Sequence, residues 1–472
     1  MSDDALPPTG TAGTPGTTTP GTPARDRWTL ILIAVGATLL ACLLLGLGPL
    51  ALPSLAVIAI AGLALIVTRP EWLMVVAGAM LSLPGKKSVF PHEFVLGLLV
   101  FLTIVDGLRR RDRTLLRLDP VEIANGLFVV WALFTVFWST DVRIYMHGVR
   151  RLLEGVAAFW VAYRLARVVP RRTFELSLLA ISFGLGASSM AKYLHETGFM
   201  QRKVDRGTAT DLGWGKSNTI ATMLLLLGPL ILDMAFRARS RLVRALAWCS
   251  TGFNGFMQLI IASRAATVLY FAGLYAQLTV GRKRSWVPAL VITVLLAIAV
   301  ISPSGQKVTS RFTDIREMGA MVVRIWYARE AWRRTIEGFP FGIGLNQGFV
   351  HPDKLQSMGT HDYWLDISSE LGVIGIVLWI SFLIVLARRI RSVTRTPGWL
   401  WEGRALWIAF WLSFLHTIVE PTFQVAHYQF VFFWAMGGYL GYHAIGATRE
   451  AEERRFAPAG ARPAGTADQP AV

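Results

Sequence analysis

A chain of 472 residues with 53% hydrophobic content and a mean hydropathy of +0.48 carries more apolar surface than one or two soluble cores can hide, which excludes an ordinary soluble globular protein. The formal charge of +17 would suit a nucleic-acid binder, but the arginines sit in clusters between apolar runs, a distribution that excludes that class and points to a polytopic membrane protein. Only two cysteines are present, Cys42 and Cys249, both inside apolar runs, so there is no disulfide framework and no thiolate metal site.

In chain order, residues 1–27 are rich in Pro, Thr and Gly and predict a disordered tail. They are not a cleavable signal peptide, because the apolar run that follows is long enough to span a bilayer. Apolar runs near 28–46, 48–68, 71–84, 92–107, 122–139, 152–166, 172–193, 217–236, 244–261, 265–281, 286–302, 371–387, 404–419 and 428–446 are candidate spans. A span needs ~20 residues, so the run at 71–84 is the doubtful one. The last 20 residues read as a second disordered tail. The expected organisation is a tail over 1–27, transmembrane helices over 28–302, a large outward loop over 303–370, further transmembrane helices over 371–446 and a tail over 447–472.

Arginine clusters mark alternate loops: Arg25 and Arg27; Arg109 to Arg117; Arg164 to Arg172; Arg237 to Arg244; Arg282 to Arg284; Arg388 to Arg395; Arg449 to Arg455. This positive-inside alternation predicts both termini in the cytoplasm and an even number of spans, about fourteen with the short run counted. The outer face then receives the loops 85–91, 140–151, 194–216, 262–265, 303–370 and 420–427. His361, Arg264, the segment from Arg202 to Arg206, and Glu420 fall together on that side.

Within the long loop, the run from Met321 to Glu337 lacks Pro and Gly and predicts a helix stopped by Gly338 and Pro340. Arg324, Ala328, Ala331 and Thr335 share one face, while Trp326, Glu330, Arg333 and Glu337 occupy another. The plain reading is an amphipathic helix on the bilayer surface; Arg324 stands out because it alone interrupts the small, apolar side. In Ser263-Arg264-Ala265-Ala266 two spans meet with almost no loop, which holds the Arg264 guanidinium at the outer boundary. It can snorkel there, or its fork of donors can meet lipid-linked phosphate. In GTHDYWLDISSELGVIG (359–375), an unbroken helix would put Ser368, Gly372 and Gly375 beneath His361, with Asp366 and Glu370 nearly opposite. That face is a seam for close approach, topped by an imidazole.

Taken with RIWYAREAWRRTIEGFPFGIGLNQGF (Arg324 to Phe349) and GWGKSNTIATMLLLLGPL (Gly213 to Leu230) preceded by Arg206, these stretches resemble the superfamily of O-antigen ligases and O-antigen polymerases, which includes O-linked protein oligosaccharyltransferases. The resemblance covers roughly the second half of the chain, and it rests on the order and spacing of the motifs. Two departures stand against the pattern: about twelve spans are usual in the family, and many members have glycine where this chain has Ala265.

The resemblance implies an all-α, GT-C-like helical bundle of about 12–14 spans in the bacterial inner membrane. It further implies transfer of a saccharide from an undecaprenyl-pyrophosphate-linked glycan donor to an acceptor hydroxyl on the periplasmic face. The acceptor is lipid A core in a ligase, as in lipopolysaccharide biosynthesis, or another lipid-linked glycan in a polymerase. Such an enzyme needs no cofactor and no metal: Arg264, Arg324 and Arg206 would stabilise the pyrophosphate, and His361 would assist the acceptor hydroxyl. Ser263, Glu370 and Asp362 are supporting candidates. Scattered carboxylates give no compact metal motif, and Gly342-Ile343-Gly344 lacks the context of a dinucleotide site. A glycan transporter or flippase is the competing class, but no internal repeat is visible, and Glu154, Lys192 and Asp233 read as isolated charges.

Overall fold

The computed structural model describes residues 72–82, 91–109, 118–197, 212, 217–261, 263–279, 318–347, 349–350, 357–358 and 362–456. Among them twelve α-helices follow one another: α1 (Leu73–Leu81), α2 (Pro91–Arg109), α3 (Pro120–Phe134), α4 (Val142–Leu165), α5 (Arg171–Thr197), α6 (Ser217–Arg237), α7 (Arg241–Ile261), α8 (Arg264–Thr279), α9 (Met318–Glu337), α10 (Tyr363–Arg395), α11 (Leu400–Thr417) and α12 (Ala426–Phe456). Among the described residues the one departure from an all-α fold is a two-residue antiparallel pair, Phe349–Val350 with Ser357–Met358. The apolar runs near 28–46, 48–68 and 286–302 lie outside the described residues. The other eleven each carry a helix, and the amphipathic α9 is the twelfth.

Four helices, Pro120–Phe137, Arg171–His195, Ser217–Arg237 and Tyr363–Arg395, are long and apolar enough to cross a membrane. This is the fold class of a helical membrane bundle. Helix starts follow local chemistry. Asp119 caps α3 by accepting from Val121 N at 3.0 Å while Glu122 reaches back to Asp119 N at 2.6 Å, with Pro120 at the first helical position. Asp141 caps α4 through Arg143 N and Ile144 N, and Asp362 caps α10 through Trp364 N and Leu365 N.

Glycines set the closest packing. α4 and α12 run parallel because Gly437 faces Phe159 and Gly441 faces Tyr163; a Cβ at either glycine would come within 2.5 and 2.6 Å of those carbonyl oxygens. Glycines four apart let two backbones touch where lipid provides no hydrophobic drive between helices. α6 packs parallel to α8, with Gly228 against the buried Tyr270, and antiparallel to α11, with Thr222 beside His416 at the far end.

Three boundaries differ from the sequence reading. α10 begins at Tyr363, inside the expected loop, because Asp362 satisfies its first N–H groups. It is also broken at Gly372 (φ 68°, ψ −167°), a conformation that essentially only glycine adopts. The straight-helix seam of Ser368, Gly372 and Gly375 therefore does not form: Gly372 receives the backbone of Pro340 and Gly342, while Ser368 Oγ meets Thr335 Oγ1 at 3.0 Å. Finally, α12 continues to Phe456, past the expected end of the membrane region at 446. Two charges read as isolated are paired: Glu154 with His92 at 2.8 Å, and Asp233 with Arg237 at 2.6 Å.

Candidate functional site

The segment after α9 builds the site's foundation. Gly342 and Gly344 have φ of 79° and 109°, and this turn lays the chain across the break in α10. Ile343 N donates to Ser369 O at 2.9 Å, Gly344 N to Glu370 O at 2.8 Å, and Val373 N to Pro340 O at 3.0 Å. The carbonyls and N–H groups freed by the break are thus satisfied by the Gly-Ile-Gly turn, which is what a buried helix interruption requires. The same turn is tied sideways. Leu345 N donates to Thr135 Oγ1 at 3.0 Å, and the Gln347 amide spans the backbone of Asp141, donating to its carbonyl at 2.8 Å and accepting its N–H at 3.1 Å.

At the centre sits Arg151 of α4. One guanidinium nitrogen donates to the Gln424 carbonyl and another to Asn346 Oδ1 at 2.5 Å. Glu370 Oε2 accepts from Asn346 N at 2.7 Å. Arg151, Asp366, Glu370, Gln424 and Gln429 line a cavity of about 20 Å³, room for roughly one water and far too small for a sugar. Arg151 therefore acts as a rivet between α4, the Gly-Ile-Gly turn and the start of α12. The sequence reading placed Glu370 among the supporting candidates and did not assign Arg151 a role; nothing local in Arg150-Arg151 distinguishes the arginine that turns inward.

α9 rides on this foundation. Tyr327 and Ala331 are buried against Leu365, and Thr335 bonds Ser368, so α9 and the first segment of α10 run parallel with their N-terminal ends on the same side. That side carries Arg324 and Asp362. Arg324 is half exposed, 49% at its side chain, and lies 3.5 Å from Glu420 Oε1. Glu420 also accepts from Asn218 Nδ2 at 2.9 Å. Three remote stretches meet here: the start of α6, the α9 face and the turn after α11. On the other face of α9, Glu330 joins Arg333 and Arg334 at 2.6 and 3.0 Å. The Arg333 hydrogen bond, reinforced by Arg334, holds the Glu330 carboxyl down at about 2. Burial pushes the Asp362 carboxyl above its usual value, against the opposing N–H groups of Trp364 and Leu365.

The other site residues are distributed as follows. Ser263 is buried, its carbonyl accepting from Thr267 N at 2.8 Å, and Arg264 is the first residue of α8. Because α8 is parallel to α6, Arg264 starts its helix at the bundle end where Asn218 and Glu420 meet. His361 and Arg206 lie outside the described residues, as does the Arg264 side chain. The expected loop at 140–151 is helical from Val142 on, since Asp141 caps α4 there, and it converges with 420–427 on the same end through Arg151 and Gln424, while Arg150 ties it to the start of α2 by a two-pronged pair with Glu93 at 2.5 Å. Although no metal motif is visible locally, His92, Glu93 and Glu154 bring ligand atoms within 4.8 Å of one another; 62 residues separate His92 from Glu154, so no local spacing could show this.

No protein-family model and no curated protein matches the chain.

Proposed function

We propose that the chain is a membrane glycosyltransferase of the O-antigen ligase type, moving a saccharide from undecaprenyl pyrophosphate to an acceptor hydroxyl on the periplasmic side of the bacterial inner membrane. The observation that carries this reading is the meeting of Asn218, Arg324 and Glu420 at the bundle end where α8 starts with Arg264 and α10 starts one residue after Asp362. Asn218, Arg264, Arg324 and Asp362 each belong to one of the four stretches on which the resemblance rests, and Glu420 joins them from the turn after α11.

The roles follow from chemistry. The acceptor oxygen attacks the anomeric carbon, its proton passes to the His361 imidazole, and the bond to the pyrophosphate oxygen breaks with the electron pair leaving on the phosphate. A pyrophosphate leaves without protonation when cations neutralise it, which is the work of Arg264, Arg324 and Arg206. Arg324 is suited to it because its pair with Glu420 is long and half exposed at the guanidinium: exposed ion pairs are typically worth ~0–1 kcal/mol, so a pyrophosphate can take Glu420's place on Arg324. Arg151 is bound to the Gln424 carbonyl and Asn346, and its exchange for a ligand would dismantle the foundation of the site.

Purified protein supplied with a lipid-linked donor and a lipid A core acceptor should form the glycosylated acceptor and release undecaprenyl pyrophosphate. Movement of donor across liposomes with no new glycosidic bond would replace this reading with that of a flippase. A glycan extended on the lipid carrier, rather than on lipid A core, would make the enzyme a polymerase.

A further inference from the structure

The start of α2 and the middle of α4 hold a cluster that transfer chemistry does not use. His92 is 1% exposed and its Nε2 lies 2.8 Å from Glu154 Oε1. Glu93 contributes a second carboxylate, and one ligand atom from each of the three lies within 4.8 Å of the other two. The second oxygen of Glu154, Oε2, is buried and has no hydrogen-bond partner among the described residues. A buried carboxylate oxygen without a donor, beside another carboxylate and an imidazole, is an arrangement that a cation completes.

We propose that His92, Glu93 and Glu154 form a binding site for one divalent zinc ion that ties α2 to α4. The geometry is close to what zinc needs. Ligand atoms at ~2.0–2.1 Å from a tetrahedral zinc stand about 3.3 Å apart; the His92–Glu154 pair at 2.8 Å must open slightly and Glu93 must close. One imidazole and two carboxylates leave a fourth position for water. Among oxygen- and imidazole-binding first-row ions, zinc outranks manganese and iron in affinity. The surroundings orient the ligands: the His427 ring lies 4.4 Å from that of His92 at 48°, Phe430 packs edge-on at 5.7 Å, and Arg150 holds Glu93 through two nitrogens. The ion is structural in this assignment, and its binding is independent of the glycosyltransferase reading because the measurement needs no donor or acceptor.

The test uses the full chain in detergent, purified without a histidine tag, stripped with a chelator, freed of it, and titrated with zinc chloride. After gel filtration the wild type should retain one zinc per chain and melt at a higher temperature than the stripped protein. His92→Ala and Glu154→Gln should retain none and show no zinc-dependent rise, while melting near the stripped wild type, which separates lost binding from lost folding. If either variant fails to fold, Glu93→Gln on the more exposed ligand should bind at least ~10-fold more weakly. Wild type that retains no zinc, or Glu93→Gln that binds as tightly as wild type, overturns the proposal and leaves His92 and Glu154 as a plain buried pair.

Discussion

Arg237 and Arg324, at the two ends of the bundle, are held in opposite ways. At the end where α5 starts and α6 finishes, Arg237 contacts Asp233, Glu175 and Glu402 at 2.6, 3.2 and 3.1 Å, and Arg171 contacts Glu175 and Glu402 at 3.0 and 2.8 Å while lying over the Trp399 ring. Nearby, Arg164 meets Glu122 at 2.9 Å, and Asp119 receives Arg389 and the Tyr163 hydroxyl. Glu175 and Glu402 are each shared by both arginines, and the two groups together clamp six helices, α5, α6 and α11 in one and α3, α4 and α10 in the other. At the other end Arg324 is half exposed and, among the described residues, has one long pair, to Glu420. The difference teaches that counting arginines, which the positive-inside pattern does well, says nothing about which are available. Availability depends on whether a carboxylate from another helix reaches them.

If that contrast is right, side-chain loss should cost rate at one end and stability at the other. The largest effect is expected at His361. His361→Ala should lower transfer by about 10² to 10⁴, the range of general-base assistance, with yield and donor binding kept, and His361→Gln should stay as impaired. A glutamine variant with wild-type turnover would reduce His361 to a packing role. At the clamped end, Arg237→Ala strands the buried Asp233, whose side chain is 1% exposed. Breaking such a pair typically costs about 3–5 kcal/mol, visible as a lower melting temperature in detergent. An unchanged melting temperature would show that the clamp is ornamental.

Between the two lies the foundation. Gly372→Ala places a methyl group against the Pro340 carbonyl and forces a non-glycine into φ 68°, so a loss of about 1–3 kcal/mol from backbone strain is expected before the clash is added. Stability and transfer should fall together, because Arg324 and Asp362 are positioned through this break. Arg324→Ala should do the reverse, moving the melting temperature little, since exposed pairs are worth only ~0–1 kcal/mol, while weakening donor use. Equal losses of stability in Arg324→Ala and Arg237→Ala would erase the distinction between the ends.

The smallest effect is a pH dependence on the outer face of α9. Glu330 is held at about 2, below its ordinary value, by Arg333 and Arg334. A depressed carboxylate stabilises the fold above its unfolded value of ~4.3 and loses that contribution as pH falls toward the folded one. Helix α9 should therefore loosen only between those limits. Glu330→Gln should remove this acid sensitivity and change nothing near neutrality, as followed by hydrogen exchange over Met318–Glu337.

The apolar runs by themselves determined where helices form, since eleven of them fall on described residues and all eleven are helical, because a backbone in lipid must close its own hydrogen bonds. The sequence also marked the stop of α9 at Gly338 and the importance of the stretch after residue 359. It could not show that α10 breaks at Gly372, because the break is stable only when Pro340, Ile343 and Gly344, some 30 residues earlier, supply the missing bonds. Nor could it distinguish Arg151 from Arg150, show that Arg237 meets three carboxylates, or join His92 to Glu154. Those outcomes turn on which helix stands opposite, and tertiary packing alone decides that: a charge is a rivet, a clamp or a free donor according to the partner that desolvates it.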